Sequence, residues 1–584
     1  MDKFYEWNFD LLYKNNGDIE ADIKKATDGI GEISKYEGKL NSKENILSFL
    51  ASDINLMKVL KKLNVYAFMR VDKNSKDNEA LKLYGMVDNL LTNYSLAVAF
   101  VDEELAKLSD EFLDSLIKDN SLSDYRRYFE SVKRNKAHVL DKKTEEIMAN
   151  VSSFADFSSI FDKLSDTEIK FDDVVTASGE HKKLNNGTYG GLIRDNDASV
   201  REQANVNLHK GYANFNLTIS QNYISHLKCS NFSANIHKFN SRLDQVYFCD
   251  EIDQSVLSTL IKNVQNNVSL YQKYLKTKAK LLGLKQLKIS DLSASVVQNF
   301  NPQVGYDDAM KTVLDMVKIL GSEYYDVANK LFNSRWVDVY PAENKASGGY
   351  SINAQIGIPF ILLNYNNTYN DVSTVAHELG HSIHCYFSEK NQPYLNQDYS
   401  TFVAEIASTV NEVLLAKKLL AEAKTKEEKL YIIDNLLNEF SATVFRQTLF
   451  TEFECFAHGE INKGNSITGE DLNNKYMSLL NEYMGDAVKF HDYIKYEWSR
   501  IPHFYRDFYV ASYATGFVSA INIASKIMEG GETYVKNNYL KFLSAGCSDT
   551  PVNILKLADV DITTNEPYDV AFAFYNSLID EIDS

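Results

Sequence analysis

Apolar positions at three- and four-residue spacing dominate the first 300 residues of the chain. One such set shares a single helical face, and Gly283 is expected to end that helix: Leu257, Leu260, Ile261, Val264, Val268, Tyr271 and Leu275. All seven prolines lie at or after Pro302, so few helix breakers interrupt this part. Similar patterns cover about 45–65, 78–106, 124–150, 305–333 and 403–423. The pattern predicts long helices and a mainly α fold.

The pattern changes between Trp336 and Asn364, where short runs of β-branched and aromatic residues alternate with Gly and Pro. This predicts a few short strands and turns that form a small β-sheet. The next helix should follow directly, with Asn370 or Asp371 as its cap. A strand beside that helix could bind an extended peptide by backbone hydrogen bonds, or could only support the helix. Both interpretations stay open.

Residues 377–381 read His-Glu-Leu-Gly-His. On a helix, two imidazoles four residues apart project from the same face, and zinc–nitrogen bonds of about 2.1 Å let one ion bind both. Glu378 lies beside them, where a base for an activated water belongs. The alternative is a surface helix with two unrelated histidines. Apolar flanks such as Val375 and Ile383 favour an interior helix, so the motif predicts zinc binding by His377 and His381.

A third candidate ligand, Glu405, lies 24 residues after His381 in Phe-Val-Ala-Glu-Ile-Ala-Ser-Thr. A loop containing Pro393 separates the two predicted helices, so a helical hairpin can return Glu405 to the metal. A catalytic zinc needs three protein ligands and one open position, which favours this interpretation over a solvated carboxylate. Glu412 either orients a ligand imidazole or faces water.

The composition narrows the class of protein. With 584 residues, a net charge of −18 and a pI near 5.2, the surface disfavours nucleic acid and anionic membranes. No apolar stretch approaches the roughly 18 residues of a membrane span, and we expect no secretory signal. The five cysteines are scattered, which suits reduced thiols. We therefore expect a cytoplasmic protein that binds neither nucleic acid nor membranes, and the oligomeric state stays open.

These motifs together resemble oligoendopeptidase F, within the thimet oligopeptidase family of zinc peptidases. The resemblance covers nearly the whole chain and is densest from about 336 to 520. The similar segments are Glu6–Tyr13, Lys345–Tyr350, Ile361–Tyr365, His377–His384, Phe402–Thr409 with Asn411 and Glu412, Phe445–Glu454, Ile501–Tyr505, Phe508–Val510 and Tyr513–Gly516.

The resemblance implies a large helical zinc-peptidase fold with a deep substrate channel and a small β-sheet beside the active-site helix. It implies a helical N-terminal domain over residues 1–190 and a catalytic domain over 191–584. It also implies one Zn²⁺ per chain, with His377, His381 and Glu405 as its ligands and Glu378 as the base.

The same resemblance implies that three residues later in the sequence, here called the later block, contact the substrate: His503, Tyr509 and Tyr513. The two tyrosines are four residues apart, so a helix would place them on one face. Which of them donates a hydrogen bond to the oxyanion of the transition state stays open.

We therefore predict a metalloendopeptidase that hydrolyses internal bonds of short unfolded peptides with a metal-activated water. One alternative is a zinc exopeptidase, which would need a charged pocket for a peptide end. Another is a peptide-binding protein with a structural zinc and no turnover. Glu378 argues against this last alternative, because zinc ligation does not require that carboxylate.

Overall fold

The computed structural model describes residues 3–297, 300 and 302–583. Helices account for 72% of the chain and the sheets are small, so the predicted mainly α fold is confirmed. None of the helices in the described ranges is both long and apolar enough to span a membrane.

The α-helices follow one another along the whole chain. The first nine are α1 (Asn16–Ile33), α2 (Lys43–Lys73), α3 (Asn78–Val98), α4 (Val101–Ala106), α5 (Asp110–Lys118), α6 (Arg126–Asn135), α7 (Lys142–Phe154), α8 (Phe157–Lys163) and α9 (Asn186–Leu192). The next eight are α10 (Ala198–Ala213), α11 (Asn216–Ile236), α12 (Arg242–Cys249), α13 (Ser255–Asn266), α14 (Val268–Leu281), α15 (Tyr306–Met316), α16 (Ser322–Asn333) and α17 (Tyr369–Asn391). The last eight are α18 (Thr401–Glu422), α19 (Lys426–Phe440), α20 (Arg446–Asn462), α21 (Gly469–Met484), α22 (Ala511–Tyr534), α23 (Leu540–Leu543), α24 (Pro551–Leu557) and α25 (Glu566–Asp583).

Within the described ranges, the strands form three small sheets. Two are two-stranded: β1 (Val174–Val175) pairs with β2 (His181–Lys182), and β3 (Leu287–Lys288) pairs with β7 (Val488–Lys489). The third has the order β4-β6-β5 and contains β4 (Val337–Asp338), β5 (Tyr350–Asn353) and β6 (Pro359–Leu362). β6 is parallel to β4 and antiparallel to β5. This sheet is the one predicted between Trp336 and Asn364.

Four of the predicted helices are each divided in two: 78–106 into α3 and α4, 124–150 into α6 and α7, 257–275 into α13 and α14, and 305–333 into α15 and α16. A local cause is visible at the last two breaks. At Asn267 the side-chain Nδ2 donates to the carbonyl of Asn263, so a side chain binds an oxygen that the helix ladder would otherwise use. Gly321 has a φ of 87° between α15 and α16. Such a left-handed residue ends a helix at little cost when it is glycine.

The chain forms two compact units, each assembled from three separate stretches. Unit 1 comprises Met1–Glu145, Asn301–Leu415 and Ile523–Asp559, and unit 2 comprises Glu146–Phe300, Ala416–Asn522 and Val560–Ser584. This division follows three-dimensional packing, whereas the predicted boundary near residue 190 follows sequence similarity. That boundary stays a prediction, as does the deep channel.

Unit 1 contains the three-stranded sheet. α17 packs on β5 and β6, and its apolar face, which includes Val375, Leu379 and Ile383, is fully buried. On the N-terminal segment, Trp7 is also buried and donates its indole Nε1–H to the carbonyl of Ile361, 2.8 Å away. The core of unit 1 therefore fixes the helix that carries the His-Glu motif.

Unit 2 is a helical unit with an aromatic core. Tyr223 stacks on Phe453 and also contacts Trp498, and all three rings are buried. The buried carboxylate of Glu497 accepts hydrogen bonds from Arg446 and from a tyrosine hydroxyl on α21. These aromatic and ionic contacts join α11, α20 and α21 to the segment that precedes His503.

Candidate metal centre and active site

The His-Glu-Leu-Gly-His motif lies in the middle of α17. Thr368 caps this helix: its Oγ1 accepts from the N–H of Asp371 (3.2 Å), and Asp371 Oδ2 accepts from the N–H of Thr368 (2.8 Å). This reciprocal pair is a capping box. The predicted start at Asn370 or Asp371 was wrong by two or three residues, because Asp371 acts as the third residue of the box rather than as the cap.

α17 and α18 run antiparallel and touch at Gly380. A Cβ built on Gly380 would lie 2.5 Å from the Cα of Ser408 and 2.6 Å from the carbonyl oxygen of Ala407. One turn away, Asn411 Nδ2 donates to the carbonyl of Ala376 at 3.0 Å. The two backbones can approach this closely only because residue 380 has no side chain.

This close approach brings Glu405 to the two histidines. Its Oε2 lies 3.4 Å from His377 Nε2 and 3.3 Å from His381 Nε2, and the two Nε2 atoms are 3.2 Å apart. For bonds of about 2.1 Å in a tetrahedral arrangement, two zinc ligands lie about 3.4 Å from each other. The three atoms therefore have the spacing that one small dication requires, and these residues could hold a metal ion. We call His377, His381 and Glu405 the metal group.

The three side chains are partly accessible, in contrast to the helix around them. His377 is 26% exposed, His381 19% and Glu405 33%. Structural zinc sites are closed by four protein ligands, whereas catalytic sites leave one position for water or substrate. The accessibility of this group and its three donors suit the open kind of site.

A second carboxylate orients His377. Glu412 Oε2 lies 3.2 Å from His377 Nδ1, and Glu412 Oε1 accepts from the hydroxyl of Ser373 at 3.3 Å. Because a carboxylate only accepts, a hydrogen must be on Nδ1, which leaves Nε2 as the nitrogen that can bind a metal ion. Of the two roles considered for Glu412, the structure favours contact with the imidazole over exposure to water.

Glu378 lies beside the metal group but contacts none of its three donor atoms. Only 6% of this residue is exposed, and its buried Oε2 has no hydrogen-bond partner among the described residues. The glycine turn before β5 comes close to this side chain: a Cβ built on Gly349 would lie 3.5 Å from Glu378 Oε1. A buried carboxylate without a protein partner is costly unless it interacts with a ligand or water.

The acidic and basic groups of the site strongly shift one another's pKa values. Burial alone would raise the pKa of Glu405, but hydrogen bonds from His377 and His381 lower that pKa far below its usual range. Burial opposes the charged form of His377, yet bonds to Glu405 and Glu412 outweigh it and raise its pKa. Burial raises the pKa of Glu378. Carboxylates that stabilise a proton on His377 would equally stabilise a dication in its place.

The residues of the later block belong to unit 2. His503 lies in a short 3₁₀ segment (Pro502–Tyr505), Tyr509 lies in a turn, and Tyr513 lies in the first turn of α22. Tyr513 contacts the other two rings: its centroid is 6.1 Å from that of His503 and 5.2 Å from that of Tyr509. Because α22 begins at Ala511, the expectation that both tyrosines share a helical face was wrong.

The turn that carries Tyr509 is fixed by buried acidic side chains. Asp507 accepts from His226 Nε2 (2.7 Å) and Arg242 Nε (2.6 Å), and the N–H of Phe508 donates to Glu454 (2.8 Å). Phe508 has a φ of 59°, a left-handed conformation that is strained for a bulky residue. These contacts hold the strained turn.

Comparison with known proteins identifies the family. Residues 192–574 match the family model described as peptidase family M3, and residues 104–171 match the model described as oligopeptidase F. The chain belongs to peptidase family M3. It is therefore a metallo-oligopeptidase, and the predicted resemblance to oligoendopeptidase F is confirmed.

Several relatives match this M3 peptidase along its whole length. It is 33% identical to the group B oligopeptidase PepB of Streptococcus agalactiae, over 100% of this chain and 97% of the relative. It is 32% identical to the oligopeptidase PepF of Bacillus subtilis, over 99% and 86%. The solved structure of oligoendopeptidase-F from Enterococcus faecium has a TM-score of 0.74 and 29% identity, over 97% and 98%.

The peptidase also has an open strand edge beside the metal group. β5 is an edge strand, and in β6 the N–H groups of Ile361 and Leu363 donate to the β4 segment. Backbone groups alternate sides along a strand, so Phe360 and Leu362 direct theirs toward β5. Their partners in β5 are Ile352 and Tyr350.

Ser351 and Asn353 therefore direct their backbone N–H and C=O groups away from the sheet. In the described part of the chain, the backbone of residues 350–353 makes no hydrogen bond outside its pairing with β6. The hydroxyl of Ser351 lies 2.8 Å from that of Ser382 on α17, so this edge follows the helix of the metal group. The edge can pair with one extended chain.

Four features of the site were not identified from the sequence. These are the close helix contact at Gly380, the hydrogen bonds made by Ser373 and by Asn411, and the hydrogen bonds by which Asp507 and Glu454 hold the turn that carries Tyr509. Gly380 was detectable in principle, because a glycine inside a helix costs stability and needs a packing reason. The remaining contacts join residues 35 to 281 positions apart, and no local pattern reports them.

Proposed function

We propose that this M3 peptidase is a zinc-dependent endopeptidase that hydrolyses internal bonds of short unfolded oligopeptides. One observation carries the proposal. The donor atoms of His377, His381 and Glu405 lie 3.2–3.4 Å from each other, beside a buried carboxylate that has no protein partner among the described residues. A structural zinc site would not require that carboxylate.

In this proposal His377, His381 and Glu405 bind one Zn²⁺ per chain, and Glu412 orients His377. The two imidazoles and one carboxylate are a donor set typical of catalytic zinc. When bound, zinc supplies a Lewis acid that activates water and polarises the carbonyl group of the scissile bond.

Glu378 moves the proton. Its carboxylate accepts a proton from the attacking water as the water oxygen bonds to the carbonyl carbon. When the carbon–nitrogen bond breaks, the same carboxyl group donates that proton to the amine nitrogen of the departing fragment. Burial supports this role, because it raises the pKa of the Glu378 carboxyl group and so makes its carboxylate a better proton acceptor.

The open edge of β5 would align the substrate. Ser351 and Asn353 offer one N–H and one C=O each, so an extended peptide can form a short ladder with them. Gly349, just before the strand, leaves room next to Glu378. Of the two interpretations of this strand, its unpaired edge supports peptide binding.

His503, Tyr509 and Tyr513 are proposed to contact the substrate. A tyrosine hydroxyl can donate a hydrogen bond to the oxyanion that develops during hydrolysis, and losing one such donor typically costs roughly 2.7–4 kcal/mol of barrier. Burial, together with the neighbouring Arg506, lowers the pKa of His503 and favours a neutral imidazole. The contacts of Tyr513 with both His503 and Tyr509 support a shared role.

The endopeptidase mode is supported by similarity. The relative solved from Enterococcus faecium is named an oligoendopeptidase, and it matches 97% of this chain. The proposed N-terminal and catalytic domains, 1–190 and 191–584, are supported by two family models that match on either side of residue 190.

The test is cleavage of an internally quenched peptide whose two ends are blocked by an acetyl group and an amide. We expect the wild type to cleave it, and Glu378→Gln to lower kcat by about 10²–10⁴-fold because the proton acceptor is lost. Glu20→Gln is the matched control, since Glu20 is an exposed residue on α1 and should leave the rate unchanged.

Each alternative has its own outcome in this experiment. Equal rates for wild type and Glu378→Gln would refute the proposed mechanism. Cleavage only after the blocking groups are removed, and only at a terminal bond, would identify an exopeptidase. Binding of the peptide without any cleavage would identify a peptide-binding protein.

A further inference from the structure

A separate cavity lies in unit 1 and has a volume of about 210 Å³. Helices α2 and α3, the tip of the β5–β6 hairpin and the segment after α17 line it. Its apolar and aromatic lining consists of Met57, Leu60, Leu91, Tyr94, Tyr394 and Leu395. No part of the proposed reaction uses this cavity.

The cavity continues the open edge of β5. The β5–β6 hairpin runs alongside α17. At one end Gly349 lies near Glu378, and at the other end the N–H of Gly357 donates to Glu389 at 2.8 Å. Gln355 lines the cavity and lies just beyond the last residue of β5. A peptide that pairs with β5 therefore leads from the metal group to the cavity.

The strand ends where the cavity begins. Gln355 has a φ of 53°, which is not extended, and its N–H already donates to the side chain of Asn353. A paired peptide can therefore make no further ladder bonds at this point. Gln355 lies six positions after Gly349, and six positions of extended chain span about 20 Å.

The size of the cavity suits one side chain. A cavity of about 150 Å³ lined by apolar residues binds benzene, and ligand pockets for whole small molecules measure about 300–1,000 Å³. The present volume lies between these values. An aromatic ring or a branched aliphatic side chain would fill it.

The charges at the rim favour an uncharged occupant. Lys61 and Asp398 both line the cavity, so its formal charges cancel. The hydroxyl of Tyr94 is already satisfied, because it donates to Asp53 at 2.8 Å. A charged side chain would lose its hydration here without gaining a buried partner.

We propose that this cavity binds one aromatic or branched apolar side chain of the substrate, four to six residues from the cleaved bond. The proposal rests on the proposed peptide hydrolysis at the metal group. It makes Met57, Leu60 and Leu91 specificity-determining residues that act far from the reacting atoms.

The experiment uses two sets of internally quenched peptides that share one cleaved bond. The short peptides end three residues from that bond on each side. The long peptides extend seven residues on each side and contain glycine and serine, with a single Phe moved through positions three to seven on either side. In the wild type we expect kcat/KM to rise about 10-fold when Phe occupies one position four to six residues away, because burying the ring adds binding energy.

Two variants fill the cavity, Leu91→Trp and Met57→Trp. Each should abolish the gain from the distant Phe and leave cleavage of the short peptides unchanged, which also reports correct folding. Leu81→Trp is the matched control. Leu81 is on the same helix as Leu91 but is 43% exposed and outside the cavity, so the gain should remain.

The possible failures are distinguishable. If Phe gives no gain at any position in the wild type, or if the gain persists in a filled variant that cleaves short peptides, the cavity proposal is wrong. If Asp gives the same gain as Phe, the apolar assignment is wrong. If Glu378→Gln cleaves the short peptides as fast as the wild type, the proposed hydrolysis itself fails, independently of the cavity.

Discussion

His377 lies between two carboxylates, and this arrangement determines how it can act. Glu412 contacts Nδ1 at 3.2 Å, while Nε2 lies within 3.4 Å of both Glu405 and His381. The contact with Glu412 places a hydrogen on Nδ1, and Nε2 is the nitrogen that faces the metal group. Glu412 is thus a positioning residue for a metal ligand rather than a ligand.

We predict that Glu412→Gln weakens zinc binding by about 10–100-fold, because the imidazole loses the negative charge that orients it and increases its basicity. The Kd for zinc is measured by competition with a chromogenic chelator. Glu422→Gln, on the exposed end of the same helix, is the control and should bind zinc as the wild type does. An unchanged Kd in Glu412→Gln would mean that the contact has no role in metal binding.

Most individual residues of the metal group could be predicted from the sequence. Two histidines and a glutamate in one helical turn are typical of a zinc site, so His377, His381 and Glu378 follow from local spacing. Glu405 could be proposed only because a catalytic zinc needs a third ligand. The role of Glu412 was undecided, because an acidic residue beside an apolar stripe is solvated in most helices.

α17 and α18 act together as one element. Gly380 and Ser408 bring the two backbones into contact, and Asn411 fixes their register through the carbonyl of Ala376. Glu405 is one turn from Ser408, so the position of the third donor depends on this contact. The geometry of the metal group is therefore a property of the helix pair.

We predict that Gly380→Ala destabilises the protein by about 1–3 kcal/mol, because the added methyl group overlaps the backbone of α18. It should also weaken zinc binding, since the separation of the helices moves Glu405. Gly85→Ala is the matched control. Gly85 is on α3 with nothing within 4 Å of the added Cβ, so alanine should stabilise the helix by about 0.5–1 kcal/mol.

The measurements are the free energy of unfolding from urea titration and the Kd for zinc. Equal stability of Gly380→Ala and wild type would contradict the close contact between the helices. A loss of stability with unchanged zinc affinity would mean that Glu405 does not depend on it.

At this scale, sequence predicts which segments are helices better than where they begin and end. The start of α17 was misplaced because Asp371 and Thr368 are both good capping residues, and only the reciprocal bond distinguishes them. The helix break at Asn267 depends on one side-chain hydrogen bond. Apolar periodicity continues across such a break and does not reveal it.

The whole molecule consists of two units that each combine three distant stretches of chain. The N-terminal residues illustrate why sequence does not reveal this. Trp7 is buried against Ile361, 354 positions later, so a core residue of the catalytic sheet comes from the start of the chain. Local periodicity determines the fold class, whereas such long-range pairings emerge only in three dimensions.

The residues predicted to act in hydrolysis form two groups, one in each unit. Those of the metal group belong to unit 1, and His503, Tyr509 and Tyr513 belong to unit 2. Sequence patterns identified each group separately. Their common role in hydrolysis stays a proposal that the experiments above address.

The most direct test of the metal centre is a crystal structure of protein purified without added metal, with anomalous diffraction recorded on both sides of the zinc absorption edge. We expect one peak per chain that appears only above the edge. It should lie about 2.0–2.2 Å from Nε2 of His377, Nε2 of His381 and one carboxylate oxygen of Glu405. A map without such a peak, or a peak at which Glu405 is not bound, would refute the proposed metal centre.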